Sequence, residues 1–270
     1  MVVQHNLTAM NSNRMLGVNT ATQAKSTEKL SSGYRINRAA DDAAGLAISE
    51  KMRRQVRGLT QAVANAQDGI SMVQTAEGAL NEVHDMLQRM NELAVKAANG
   101  TMTTADRSYI NKEITALKSE INRVATTTTF NEQKLLASNK SFALQVGAET
   151  STDNKITVTI NKMNCSGLGI SGSVGTVSAA STLIGQVKSA INSLNNQRAD
   201  LGAQQNRLEH TVNNLNNVVE NTTAAESAIR DTDMATEMVK YSNNNILAHA
   251  GQAMLAQANQ SNQGVLSLLG

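Results

Sequence analysis

The sequence predicts a mainly α-helical protein, in which an elongated antiparallel coiled coil or helical-bundle rod carries a small β-hairpin and joins a domain of paired terminal helices. Three observations indicate this fold. The 270 residues contain no proline. A proline inside a helix removes a backbone donor and clashes with the preceding turn, so its absence favours long uninterrupted helices. Apolar residues recur alternately three and four positions apart over two long stretches. Aromatic residues make up only 2% of the chain, which counts against an aromatic-lined ligand pocket.

Two long helices are predicted, at 43–98 and at 184–229, where the apolar spacing matches the seam of a coiled coil. In the first of them the seam residues are Met52, Val56, Leu59, Val63, Ala66, Ile70, Val73, Ala76, Leu80, Val83, Leu87, Met90, Ala94 and Ala97. Such a helix is roughly 80 Å long, whereas a compact chain of this size is about 50 Å across. We therefore expect a rod in which the second long helix returns along the first.

Shorter elements are expected between the two long helices. Asn99–Gly100 is a helix stop, because glycine adopts the left-handed conformation that ends helices. Thr103 or Thr104 can cap a further helix that runs to about Val124. Within 141–160 the apolar period changes to two, which predicts a β-hairpin.

Both ends of the chain also have helical patterns, at 1–30 and at 234–269, but their composition differs from that of the middle. They are rich in Asn, Gln, Ser and Ala, and their apolar residues are too few to stabilise an isolated helix. We expect these ends to become ordered only against partners.

The sequence offers no catalytic, cofactor-binding or metal-binding group, so we predict that the protein is not an enzyme. Cys165 is the single cysteine and has no nearby His or Lys to activate it, and none of the four histidines has metal-ligand spacing. The G-x-G-x-x-G letters at 167–172 lie far from the next predicted helix, so we interpret them as a flexible loop rather than a dinucleotide site.

Charge and hydropathy argue against two classes of partner. The net charge is +2 and the basic residues are not gathered on one face, which argues against nucleic acid. No apolar stretch is long enough to span a bilayer, so no membrane insertion is expected. The N-terminus lacks the pattern of a secretory signal, which leaves open a cytosolic protein or one that leaves the cell without a cleaved signal.

Four motifs, spread in order along the chain, resemble bacterial flagellins. They are LSSGYRINRAADDAAGLAIS at 30–49, QRADLGAQQNRLE at 197–209, AESAIRDTDMA at 225–235 and MLAQANQ at 254–260. The resemblance implies an inner-tube domain formed by 1–42 and 230–270, and a rod domain at 43–229 that includes the hairpin at about 141–160. Since little sequence is left for outer domains, the chain resembles a short, two-domain flagellin.

The resemblance also implies function. A flagellin is exported unfolded through the flagellar type III apparatus and polymerises into the extracellular filament used for motility. The expected partners are further copies of itself, an export chaperone, the filament cap and the hook–filament junction proteins. The expected polymerisation interface comprises Val3, Leu7, Met10, Leu247, Met254, Leu255 and Leu266. Two alternatives remain, a minor filament-junction component of the same apparatus and a coiled-coil adaptor.

The segment QRMNELA at 88–94 resembles the part of many flagellins that Toll-like receptor 5 binds. The matching residues are Gln88, Arg89, Glu92 and Leu93, with Glu113 from the following helix. We expect an exposed leucine beside the arginine, a combination typical of binding hot spots. The alternative is that this patch is simply rod surface and a contact between subunits.

Overall fold

The computed structural model describes residues 6–269, with side chains described for 6–261. The helices are α1 (Leu7–Ser32), α2 (Ala43–Ala98), α3 (Thr104–Thr127), α4 (Val177–Arg230) and α5 (Met234–Leu269). The strands are β1 (Thr129–Phe130), β2 (Gln133–Lys134), β3 (Lys140–Gln145) and β4 (Lys155–Ile160). The mainly α-helical fold with a small β-hairpin, predicted from the sequence, is confirmed.

The chain forms two compact units. One, called here the terminal unit, combines the chain up to Arg54 with the chain from Asn221 onward. The other, the central unit, is Gln55–Glu220. Each unit has its own packing.

In the terminal unit, α1 and α5 pack as an antiparallel pair. The Asn6 side chain caps α1 by accepting a hydrogen bond of 3.0 Å from the Ala9 amide, which satisfies one of the free donors of the first turn. Gly33 ends α1 with a positive φ of 75°, and its amide donates to the Lys29 carbonyl at 2.8 Å. Glycine takes this left-handed conformation without a Cβ clash, so the helix stops there.

The central unit has a core formed by α2, α3 and α4 together with the β3–β4 hairpin. Its largest fully buried side chains are Leu80, Leu87, Met90, Ile114, Ile121, Leu135, Leu136, Ile160, Leu183, Leu194 and Leu201. Thr103 caps α3 in a reciprocal arrangement with Asp106, in which each side chain accepts from the other's backbone amide. The capping residue expected at 103 or 104 is therefore Thr103, and α3 extends three residues past Val124.

The predicted hairpin is formed by β3 and β4, with Phe142 opposite Val158. On β4, Ile156, Val158 and Ile160 face the core, and the residues between them are exposed, which is the pattern of a strand with one solvated face. A Cβ on Gly69 of α2 would collide with the side chain of Leu144, so the glycine permits close approach of the hairpin to the helix.

Two features between α3 and α4 differ from the sequence expectations. A tight hairpin joins β1 to β2 through Asn131 and Glu132, both with positive φ. The segment 167–172 is a loop, as predicted, but it is not free, because Leu168 and Ile170 are buried. The Gly172 amide also donates to Gln186 of α4 at 2.9 Å.

Candidate assembly surface

The seam between α1 and α5 is lined by small and polar side chains. The less exposed positions of α1 are three and four residues apart, namely Ala9, Ser12, Leu16, Asn19, Gln23, Ser26 and Leu30. Those of α5 are Glu237, Tyr241, Asn244, Ala248, Gly251, Leu255 and Ala258. Leu16 lies against Gly251, which fixes the pairing of the two rows. Such a seam excludes little apolar surface from water, so it stabilises the pair weakly.

Apart from Leu16, Leu30 and Leu255, most of the large apolar side chains of the two helices lie outside the seam. We call this set the outer face: Leu7, Met10, Met15 and Val18 of α1, with Met234, Met238, Val239, Ile246, Leu247 and Met254 of α5. Leu7 is 69% exposed and Ile246 is 63% exposed. A concentration of exposed large apolar side chains on one structural element marks an interaction surface.

The residues that the sequence analysis assigned to a polymerisation interface fall in three places. Leu7, Met10, Leu247 and Met254 belong to the outer face. Leu255 is half-buried in the seam instead. Val3 and the side chain of Leu266 lie outside the described residues.

Several members of the outer face were not identified from the sequence, among them Val18, Val239 and Ile246. The spacing of residues along the two helices could identify members of the outer face, because Val18 and Ile246 fall between seam positions. To assign a residue to the outer face, one must first know which row of residues forms the seam. A seam of Ser, Asn and Gln cannot be told from a solvated helix face in the sequence.

One charged group is buried in the seam. The Ser26 hydroxyl donates a hydrogen bond of 2.7 Å to the carboxylate of Glu237, and the two residues are 3% and 6% exposed. The Lys240 ammonium lies 3.4 Å from the other carboxylate oxygen. The hydrogen bond from Ser26 lowers the pKa of Glu237 below its ordinary value and Lys240 adds to this, while burial acts in the opposite direction.

The segment that resembles a receptor-binding site contains an ordered charge cluster in the central unit. Arg89 of α2 donates to Glu113 of α3 at 3.0 Å and to Glu92 at 3.0 Å. These hydrogen bonds, first that to Glu92 and then that to Glu113, raise the pKa of Arg89. Gln88 contacts the His84 ring at 2.8 Å. The guanidinium is therefore held in one orientation although it is half-exposed.

The expectation of an exposed leucine beside Arg89 is wrong. Leu93 is 4% exposed and belongs to the core of the central unit. Met90, Ala94 and Ala97 are also buried, and Leu93 falls on the same helix face as these residues, because it lies three residues after Met90 and four before Ala97. The Leu93 side chain therefore contributes to the core and not to the exposed surface beside Arg89.

In the described part of the chain, reactive side chains are not brought together into a site. No group of three His, Cys, Asp or Glu side chains in that part is placed to hold a metal ion. Within the same residues no helix is both long and apolar enough to cross a membrane. Cys165 is buried, its Sγ donates to the Lys118 carbonyl at 3.3 Å, and burial raises the pKa of the thiol.

These features define a class, that of helical structural proteins with exposed large apolar side chains on a pair of terminal helices. The family model for the bacterial flagellin N-terminal helical region matches residues 3–141, and that for the C-terminal helical region matches 184–269. A flagellin of Halalkalibacterium halodurans is 50% identical, and the flagellar filament 31.3 kDa core protein of Treponema maltophilum is 48% identical, each over the whole of both chains.

A solved structure agrees with this similarity. The crystal structure of Bacillus cereus flagellin superimposes with a TM-score of 0.50 and 32% identity, over 56% of this chain and 88% of that one. The chain belongs to the bacterial flagellin family, which confirms the resemblance of the four motifs. It is a structural subunit of the flagellar filament, outside the cell, and not an enzyme.

Proposed function

We propose that this chain assembles into the filament through the outer face of α1 and α5. The observation that carries the proposal is the distribution of side chains in the pair. Most seam residues are small or polar, whereas large apolar residues are exposed, namely Leu7, Met10, Ile246, Leu247 and Met254. Burying one such side chain contributes about 1.5–3 kcal/mol, so contact between copies supplies the apolar burial that the seam lacks.

Assembly also explains how marginal helices become stable. Ordering the terminal helices costs conformational entropy, and contact with neighbouring copies offsets it because binding favours the folded state by mass action. Copies related by a rotation that does not close form an open helical polymer. Within that polymer, residues 1–42 and 230–270 form the inner tube and 43–229 the surrounding rod.

The polar seam also suits the route to the filament. Since little apolar burial holds α1 against α5, the pair opens at low cost, as unfolded export through the type III apparatus requires. An export chaperone would cover the outer face before assembly, and the filament cap and junction proteins would meet it at the ends of the polymer. The proposed polymerisation residues are Val3, Leu7, Met10, Leu247, Met254, Leu255 and Leu266.

Substitution on the outer face tests the assembly proposal. Ile246→Ser and Leu247→Ser should each raise the concentration needed for filament formation by about tenfold or more, since each removes apolar burial. The matched control is Gln252→Ser, an exposed position of the same helix. Sedimentation of filaments and electron microscopy give the readout, and unchanged assembly of both apolar variants would overturn the proposal.

Truncation separates the filament subunit from the alternative. Removing residues 254–270 should leave a soluble chain that forms no filaments, and tubes from that chain would contradict the mechanism. The full chain should form long filaments from added seeds without any other protein. A minor junction component would instead fail to form long filaments.

A second proposed role is recognition by Toll-like receptor 5. It is supported by the resemblance of 88–94, which includes Gln88 and the buried Leu93, and by the guanidinium of Arg89, which Glu92 and Glu113 hold in place. Arg89→Ala should weaken receptor binding by about tenfold or more, the effect of removing a hot-spot arginine. Arg123→Ala is the control, because Arg123 is similarly exposed and pairs with Glu120. Equal binding by both variants would exclude the role.

A further inference from the structure

The side chains of the seam specify the relative position of α1 and α5 only weakly, because most of them are Ala, Ser, Asn, Gln or Gly. The end of the pair next to the break between α4 and α5 is also held by backbone bonds, from the Thr232 amide to the Gly33 carbonyl and from the Arg35 amide to the Arg230 carbonyl. A buried polar residue can select one register of a helix pair, because every other register leaves it without partners. Among the described residues the seam contains two such residues, Ser26 and Glu237, of which Glu237 carries the charge.

We propose that Glu237 sets the register of the α1–α5 pair, through Ser26 and the lysines around it. The carboxylate accepts the Ser26 hydroxyl at 2.7 Å and lies 3.4 Å from the Lys240 ammonium. Lys25 and Lys29 bracket Ser26 on α1, and together with Lys240 they line the same cavity of about 390 Å³. A buried carboxylate is retained only where donors and opposite charge surround it.

A shift of one heptad removes that environment. If α5 moved seven residues toward the N-terminus of α1, Glu237 would face Asn19 in place of Ser26. The amide of Asn19 could still donate a hydrogen bond. The bracketing residues, however, would be Val18 and Thr22, which carry no charge.

Lys240 lies on α5 and stays beside Glu237 in either register. The observed register is therefore the one that adds the charges of Lys25 and Lys29. It is also the one that keeps the backbone bond between Thr232 and Gly33.

The register matters for assembly because it aligns the two halves of the outer face. A shift of one heptad would displace the apolar side chains of α1 along those of α5 by about 10 Å. The inference therefore deepens the proposed function and rests on it only for this effect. The register itself is measurable whether or not the chain assembles.

Cysteine pairs can report the register directly, in a Cys165→Ser background. A Cβ at Gly251 would lie 3.9 Å from the Cβ of Leu16, close to the separation in disulfides, so Leu16→Cys with Gly251→Cys reports the observed register. Ala9 lies one heptad before Leu16, so Ala9→Cys with Gly251→Cys reports the shifted register. Oxidation of both double variants, free and in filaments, gives the ratio of the two cross-links.

The expected result is a dominant Leu16–Gly251 cross-link that loses its advantage when the charge of Glu237 is removed. Glu237→Gln should lower the ratio of observed to shifted cross-link by about tenfold, the factor that a hydrogen bond to a charged group supports. Glu28→Gln is the matched control, because Glu28 pairs with Arg38 outside the seam, and it should leave the ratio unchanged. An unchanged ratio in Glu237→Gln would overturn the proposal.

Moving the lysines tests register selection separately from simple loss of stability. Lys25→Gln and Lys29→Gln combined with Val18→Lys and Thr22→Lys should raise the share of the shifted cross-link above that in wild type. A ratio that stays at the wild-type value would overturn the proposal. Failure of the assembly proposal can be distinguished from failure of the register proposal. It would appear as normal filament formation by Ile246→Ser and Leu247→Ser, and the cross-link ratios would still report the register.

Discussion

The guanidinium of Arg230 lies over the ring of Tyr34, 4.7 Å from its centre. The same guanidinium pairs with Glu50 at 2.5 Å, and the arginine side chain is only 12% exposed. Backbone bonds join the same two segments, since the Arg35 amide donates to the Arg230 carbonyl at 2.7 Å and the Thr232 amide to the Gly33 carbonyl at 3.0 Å. In the terminal unit, one arginine therefore ties the end of α1 to the start of α2 and to the break between α4 and α5.

Loss of this arginine should loosen that junction. A partly desolvated cation–π contact and a half-exposed ion pair together contribute about 2 kcal/mol, so Arg230→Ala should speed hydrogen exchange of the Arg35 and Thr232 amides by about 30-fold. Arg230→Lys should give a smaller increase because it keeps the charge and loses the planar stack. The control is Arg57→Ala, at an exposed position. Equal exchange in Arg230→Ala and wild type would contradict the assignment.

Gln197 of α4 should be required for the stability of the central unit. It is 2% exposed, its carbonyl oxygen accepts from the backbone and side-chain nitrogens of Asn161, and its amide donates to the Thr159 carbonyl at 3.1 Å. Gln197→Leu would leave those groups unpaired and should cost about 2–4 kcal/mol in urea unfolding. Gln205→Leu removes a bond to the exposed Glu209 and should cost far less. Equal costs would argue against a bonding role for Gln197.

The thiol of Cys165 should react slowly in the native protein. It is buried, and burial raises the pKa of the thiol, so little thiolate is available at neutral pH. Labelling with iodoacetamide should be at least about a hundredfold slower than in urea, because reaction requires local opening. The adjacent exposed position provides a control, since Ser166→Cys in a Cys165→Ser background should label rapidly. Fast labelling of native Cys165 would show that the loop does not bury it.

Pairing of α1 with α5 should weaken in acid through Glu237. Because its pKa is lowered on folding, the carboxylate contributes stability above its ordinary value of 4.5, and this contribution is lost as the pH falls through the lowered value. The charged groups that face it are Lys25, Lys29 and Lys240. The Leu16–Gly251 cross-link should therefore form less readily in wild type as the pH falls below 4.5, with a weaker pH dependence in Glu237→Gln. Identical pH profiles would exclude Glu237 as the cause.

The sequence predicts the long helices well because their seam residues are large and apolar. Val73, Leu80, Val83 and Leu87, all taken from the coiled-coil pattern, are fully buried. The β3–β4 hairpin is found for a similar reason, since alternation along β4 follows its one buried face. In these elements the spacing of apolar residues and the burial in the structure have the same physical origin.

Features that depend on tertiary contacts are not predictable in the same way. The buried stripe of α4 extends beyond the predicted seam to Ala180, Leu183, Ala190 and Gln197, and three of these four are small or polar and give little apolar signal. The Asn131–Glu132 turn lacks the glycine that usually marks such hairpins. Ser26 and Glu237 are 211 positions apart, and each alone is typical of a solvated helix face. Burial of Leu93 escapes the pattern because a single seam was assumed.

Hydrogen exchange of the free chain and of the filament tests the central claim most directly, namely that α1 and α5 become stable through contacts of the outer face between copies. The account predicts that amides of 7–32 and 234–261 exchange rapidly in dilute monomer and become protected in filaments, while those of α3 are protected in both. Protection of the two terminal helices in dilute monomer equal to that in the filament would contradict it.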